Sequence, residues 1–210
     1  MRLVVCGGRV LGPGHRAVSG EVVSGAIASR HDENVSLAAR IFEVSHLTGS
    51  FTLRSGQQSS EYFDKYRFES DPGLLGEIAA LATSLIPAGT DGLAGLELGG
   101  VPVATALAAA SGLPAFFVRK QAKEYGTRQL CEGGDVSGRR LLIVEDVVTS
   151  GGQIALSAGD LRGAGALVTD ALCVIDRRAG GSENLARSGI ALHALFTMDE
   201  LTASRSSSAP

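Results

Sequence analysis

From Asn34 onward the hydrophobic positions change period from segment to segment. In NVSLAARIFEVSHL, Leu37, Ile41, Val44 and Leu47 recur at helical spacing, which predicts a helix capped by Asn34 or Ser36. FTL follows as a short strand, then the polar turn SGQQSS and the aromatic stretch EYFDKYRF. Asp71-Pro72 opens the next helix, with the acid as cap and the proline in the first turn. Its apolar face is Leu74, Leu75, Ile78, Leu81, Ala82 and Leu85, and Pro87 and Gly89 end it. Strand and helix signals then alternate: GLAGLEL, an alanine-rich helix, AFFVRK, LLIVED, a helix from about Gly152 to Leu161, and ALVTDALCVID. A short helix near Ser182 to Arg187, the strand IALHALF and a last turn around MDEL complete the series.

Strands alternating with helices of this length predict an α/β fold, with a mostly parallel sheet covered on both faces. Organised sequence spans about 34–203. Residues 1–33 carry scattered glycine, serine and charge without durable periodicity and read as an N-terminal extension, flexible in character. SRSSSAP at 204–210 reads as a disordered tail.

Composition narrows this picture. Of 210 residues 44% are hydrophobic, with Gly 28, Trp 0 and only 5% aromatics, which suits helices packed closely on a sheet. A net charge of −3 gives no general surface for nucleic acid or an anionic membrane. Three scattered cysteines, Cys6, Cys131 and Cys173, fit reduced thiols in a cytoplasmic protein, and the lack of any CxxC argues against zinc. Leu98 to Val118 is free of charge and long enough to span a bilayer, but Pro102, Gly112 and Pro114 divide it into a helix, a break and a strand. The N-terminal MRLVVCGGRV is interrupted by Gly7, Gly8 and Arg9 and does not make a signal peptide.

The chemistry concentrates in LLIVEDVVTSGGQ, residues 141–153. In a parallel sheet, ligands bind where strands end and turn into helices. Thr149, Ser150, Gly151 and Gly152 would present backbone N–H groups at a helix start, a phosphate cradle without a Walker or dinucleotide pattern. Glu145 and Asp146 beside it would repel a bare phosphate. A ribose 5′-phosphate resolves the conflict, with the acids accepting the sugar hydroxyls while the turn holds the phosphate. The plainer reading is that Asp146 and Thr149 only cap a helix. Arg119, Lys120 and Lys123 put three cations near another strand end, either as a solvated loop or as a grip on pyrophosphate.

Four apolar residues, two acids, two apolar residues and T-S-G-G resemble the phosphoribosyl pyrophosphate (PRPP) signature of the type I phosphoribosyltransferases. FTLRSGQQSSEYF at 51–63 and VRKQAKEYGT at 118–127 narrow the resemblance to the orotate phosphoribosyltransferases, from about Asn34 to Leu201. The resemblance implies the type I fold, a mostly parallel twisted sheet flanked by helices under a small hood of N-terminal segments. It implies transfer of phosphoribosyl from PRPP to orotate, with Mg²⁺ held mostly by PRPP oxygens and water and no metal ligand assigned on the chain. It also implies a homodimer whose loop 120–134 is shared between subunits. By the same resemblance, Arg54, Arg119, Lys120, Lys123 and Tyr125 touch PRPP, as do Glu145, Asp146, Val147, Val148, Thr149, Ser150, Gly151, Gly152 and Gln153. Tyr62, Phe63, Thr149 and Arg177 meet orotate, whose carboxylate suits an arginine. Asp146, Lys123 and Lys120 are the catalytic candidates.

The chain departs from some relatives at Gly99, where they carry a lysine, and at Tyr125, where others carry histidine. Tyr62 and Phe63 read equally as ordinary core. His15, His31, His46 and His193 form no recognisable cluster, and His193 reads as strand surface or satisfied core. Two alternatives stay open: a purine phosphoribosyltransferase, and a PRPP-binding regulator without turnover. The first lacks a use for Arg177, and the second lacks a helix-turn-helix or basic stripe in residues 1–33.

Overall fold

The computed structural model describes residues 37–53, 55–120 and 130–207, with the backbone alone for 206 and 207. The expected extension 1–33 and the candidate caps Asn34 and Ser36 lie outside the described residues. Helix α1 is described over 37–45. Strands β1 (His46–Thr52) and β2 (Gln58–Phe63) form an antiparallel hairpin, followed by the short helix α2 (Tyr66–Glu69). Next come α3 (Pro72–Ala82), β3 (Gly92–Leu96), α4 (Gly100–Ser111), β4 (Ala115–Val118) and β5 (Cys131–Glu132). The chain continues through β6 (Arg140–Val148), α5 (Gly152–Gly163), β7 (Leu167–Asp176), α6 (Gly181–Arg187), β8 (Ala191–Thr197) and α7 (Met198–Ser207).

Six strands make the main sheet in the order β5-β4-β3-β6-β7-β8, parallel except for β5. Strand alternation sends Leu93, Leu142, Val144, Leu172 and Val174 into one core, beneath α1, α3, α4 and α7. The intervening Ala94, Leu96, Leu141, Ile143, Ala171 and Cys173 face the other core, with Ile154 and Leu161 of α5 and Leu185 of α6. Both faces are covered, as the near-continuous apolar runs predict. Helix α3 starts as expected: the Asp71 carboxylate accepts from the Gly73 and Leu74 amides at 2.9 and 3.0 Å. Among the described residues, no helix is long and apolar enough to cross a membrane.

Three local expectations need correction. The first helix stops at residue 45, and Leu47, placed on its face by periodicity, belongs to β1. The polar stretch SGQQSS is half strand, because Gln58–Ser60 already pair with β1 and leave a tighter turn. At the other end, α7 continues to Ser207 through the stretch expected to be disordered from 204. Thr197 and Glu200 form a reciprocal capping box, with the Thr197 amide donating to Glu200 Oε2 at 2.7 Å and the Glu200 amide to Thr197 Oγ1 at 3.2 Å. Leu201 is fully buried, and the Ser204 hydroxyl donates to Leu201 O at 2.7 Å. The tail's composition is polar, but its first turn is anchored.

Candidate active site

Strand order places the site. From β3 the chain crosses through α4 to β4 on one side; from β6 it crosses through α5 to β7 on the other. The two crossovers lie on opposite faces, so a crevice opens between the carboxyl ends of β3 and β6. Glu97–Gly100 form one wall and Glu145–Gly152 the other. The walls approach so closely that side chains are excluded: a Cβ at Gly99 would collide with the Asp146 carboxylate, and one at Gly100 with the Val144 carbonyl. The start of α4 therefore faces the acid pair directly.

The acids do not end β6, which runs two residues further to Val148. Asp146 has no exposed side-chain surface. Its Oδ1 accepts from the Val147 amide at 2.6 Å, and its Oδ2 meets the Lys65 ammonium at 2.5 Å. The ammonium thus closes over Oδ2, and the Glu69 carboxyl lies against the same carboxylate. Glu145 remains half-buried, and its Oε2 has no hydrogen-bond partner among the described residues. Burial, and then the neighbouring Asp146 charge, push the Glu145 carboxyl up to about 8 against the opposing pull of Lys65 and Lys120.

Two further members of this cluster come from the hood and escaped sequence reading. Lys65 precedes α2, and Glu69 closes it. Burial first, then contact with Asp146, push the Glu69 carboxyl up to about 9. Burial alone would lower Lys65, yet Asp146, and behind it Glu145, hold it above the ordinary lysine value. The sequence signal was present in DKYRFES, where Lys65 and Glu69 stand one helical turn apart. Nothing local, however, tied them to residues some eighty positions later.

The turn after β6 is built by packing. Thr149 and Ser150 are exposed, while Gly151 is buried with φ +71°. A Cβ there would sit 2.8 Å from Leu185 Cγ, so glycine satisfies both the left-handed backbone and the contact with α6. Gly181 packs back against Val148 and the Thr149 carbonyl, and Asn184 Nδ2 donates to Ser150 O at 2.8 Å. The turn thus leads into α5 with its N-terminal amides unobstructed. Gln153 faces along α5 and donates to Ser157 Oγ at 3.2 Å.

Of the expected cations, Arg119 and Lys120 stand just beyond β4, beside this crevice. Arg119 Nε lies 3.4 Å from Glu132 Oε1, and the Lys120 amide donates to Glu97 Oε2 at 3.1 Å, tying the loop's start to the end of β3. Arg54, Lys123 and Tyr125 lie outside the described residues. Tyr62, Phe63 and Arg177 come together on a cleft of about 400 Å³. Tyr62 is 44% exposed and stacks on Phe51 at 5.5 Å, whereas Phe63 packs partly into the core. Arg177 is positioned by its amide, which donates to Val148 O at 2.9 Å and links this cleft to the turn after β6. His193 pairs with Asp170 at 2.8 Å, and His46 stacks on Phe42 at 4.7 Å. Cys131 and Cys173 are buried free thiols, and burial raises both.

The arrangement matches known proteins. Residues 68–190 fit the family model described as the phosphoribosyl transferase domain. The orotate phosphoribosyltransferase of a Nocardioides species is 52% identical over 176 residues, covering 84% of this chain and 98% of that protein. Among solved structures, orotate phosphoribosyltransferase from Mycobacterium tuberculosis H37Rv in complex with Fe(III) dicitrate superposes with a TM-score of 0.74 at 32% identity, covering 80% of this chain and 98% of that one. The same enzyme in complex with PRPP superposes at 0.70 with 29% identity, again over 80% and 98%.

Proposed function

This chain belongs to the phosphoribosyl transferase family, and on that premise we propose that it transfers the phosphoribosyl group of PRPP to orotate, giving orotidine 5′-monophosphate and pyrophosphate in pyrimidine biosynthesis. The observation that carries the proposal is the acid pair at the β3–β6 crevice, followed directly by a turn into α5 whose first amides have no side-chain cap, with Arg177 of a neighbouring cleft tied to Val148 through its amide. The amides and hydroxyls of Thr149–Gly152 take the 5′-phosphate. Glu145 and Asp146 accept from the ribose hydroxyls, and Val147 and Val148 carry the strand between acids and turn. Arg177, with two parallel donors, takes the carboxylate of the base, and Tyr62, Phe63 and Thr149 bound its ring. That use of Arg177 favours orotate over a neutral purine.

Displacement at C1′ breaks the bond to pyrophosphate, which leaves with the electron pair, as the ring nitrogen forms the new bond. No protein nucleophile is required; the residues align three groups and neutralise the leaving charge. Arg119 and Lys120 serve the pyrophosphate, and Lys123, Tyr125 and Arg54 complete its shell by resemblance. Among the described residues no group of three or more His, Cys, Asp or Glu is arranged to hold an ion. A magnesium ion carried on substrate oxygens and water would supply charge neutralisation at the pyrophosphate. The proposal extends to a homodimer sharing loop 120–134 and to a cytoplasmic location, the latter supported by unpaired buried thiols.

The test is direct. Purified protein with PRPP, Mg²⁺ and orotate should deplete orotate absorbance, and omission of PRPP should stop it. Orotate left intact while adenine or xanthine is consumed would move the reading to a purine enzyme. Binding of PRPP with no turnover of any base would leave a regulator.

A further inference from the structure

Two buried carboxyl groups, Asp146 and Glu69, lie against each other, with half-buried Glu145 next to them in β6. One ammonium, Lys65, pairs with them, and its contact is with Asp146 at 2.5 Å. Lys120 acts on Glu145 more weakly than Lys65 does. A buried carboxylate without a counter-ion takes up a proton, and a protonated acid is a poorer acceptor for a sugar hydroxyl. The charge of this cluster therefore depends on where the ammonium sits.

Its place is fixed by the turn that carries it. The Asp64 amide donates to Ser45 O at 2.8 Å, and the Tyr66 amide to Asp64 Oδ1 at 3.3 Å. Phe68 anchors α2 with no exposed surface, and the Lys65 ammonium lies 5.2 Å from the centre of the Tyr66 ring. Gly99 leaves no side chain on the opposite side to compete for Asp146.

We propose that Lys65 is a positioning residue for the sugar site: its ammonium, paired with Asp146 at the crevice, fixes the orientation in which that carboxylate serves a ribose hydroxyl. Burial and the neighbouring acid raise the Glu69 and Glu145 carboxyls beside it. The proposal rests on the site being a ribose-phosphate grip, so its test reads binding, not turnover.

Calorimetric titrations with ribose 5-phosphate and with inorganic phosphate separate sugar from phosphate. Lys65→Met should weaken ribose 5-phosphate by roughly tenfold or more, less than a fully buried pair would give because Lys65 is one-third exposed, and leave inorganic phosphate within about twofold. Lys65→Arg should restore most of the loss. Lys65→Gln, neutral but still hydrogen-bonding, is the second variant if methionine disturbs folding, and the same selective loss is expected. Equal weakening of both probes would reduce Lys65 to a structural part, and tighter sugar binding would make it a competitor of the ribose; either overturns the proposal. Wild-type protein that prefers ribose 5-phosphate no more than phosphate would overturn it too. Wild-type protein that binds both probes but leaves orotate untouched would instead fail the proposed reaction and leave Lys65 in its role.

Discussion

Two neighbouring parts of β6 and its turn work in opposite ways. The turn Thr149–Gly152 is held by backbone shape: a left-handed glycine, a glycine-to-turn contact with α6 and one amide from Asn184. It offers partial positive charge that needs no titration. The acid pair three residues earlier is held by charge, with one ammonium and a protonated neighbour supplied by the hood. The turn is thus held by backbone shape and packing, without a titrating group. The acid pair, by contrast, takes its ion-pair partner Lys65 from a distant element.

Asp146→Asn strikes the charged half and should have the largest effect. The amide keeps the shape but loses the acceptor that Lys65 holds, so turnover should fall by about 100-fold or more. The thermal midpoint should shift by only a few degrees, because folding is carried by the two apolar cores. A collapse of folding that matches the lost activity would leave Asp146 a mere structural cap. Gly151→Ala strikes the backbone half. Its φ of +71° and the approach to Leu185 should cost roughly 1–3 kcal/mol of stability, with weaker inorganic phosphate binding in the folded fraction. Unchanged stability and phosphate affinity would show that the turn tolerates a side chain and that its glycine is incidental.

The same division decides what the sequence revealed. Strand and helix periods, the Asp71 cap and the turn after β6 are local patterns, and the folded chain follows them closely. Tyr62, Phe63 and Arg177 were reached by resemblance to a family, and the fold gathers them on one cleft. Lys65 and Glu69 were not legible, because their meaning arises only where the hood lies over Asp146. The braces Gly181 and Asn184 were hidden for the same reason. The longer α7 was legible in principle: Thr197-Met-Asp-Glu200 is a capping box, masked by the serine-rich residues after it.

A smaller effect tests the protonated neighbour itself. Glu69 and Glu145, held at about 9 and about 8, keep protons in the folded chain that an unfolded chain gives up near the ordinary glutamate value of 4.5. Over that interval the folded state binds more protons than the unfolded one, so stability falls as pH rises and the contribution is exhausted by about 9. Lys65, raised above its ordinary value, stays charged throughout and adds no slope. Glu69→Gln keeps the neutral form permanently and removes one of the two terms. Its thermal midpoint should therefore decline less between about pH 6 and pH 9 than that of the unaltered chain, with the two curves diverging at the alkaline end. Parallel curves would mean that Glu69 ionises as an exposed acid does.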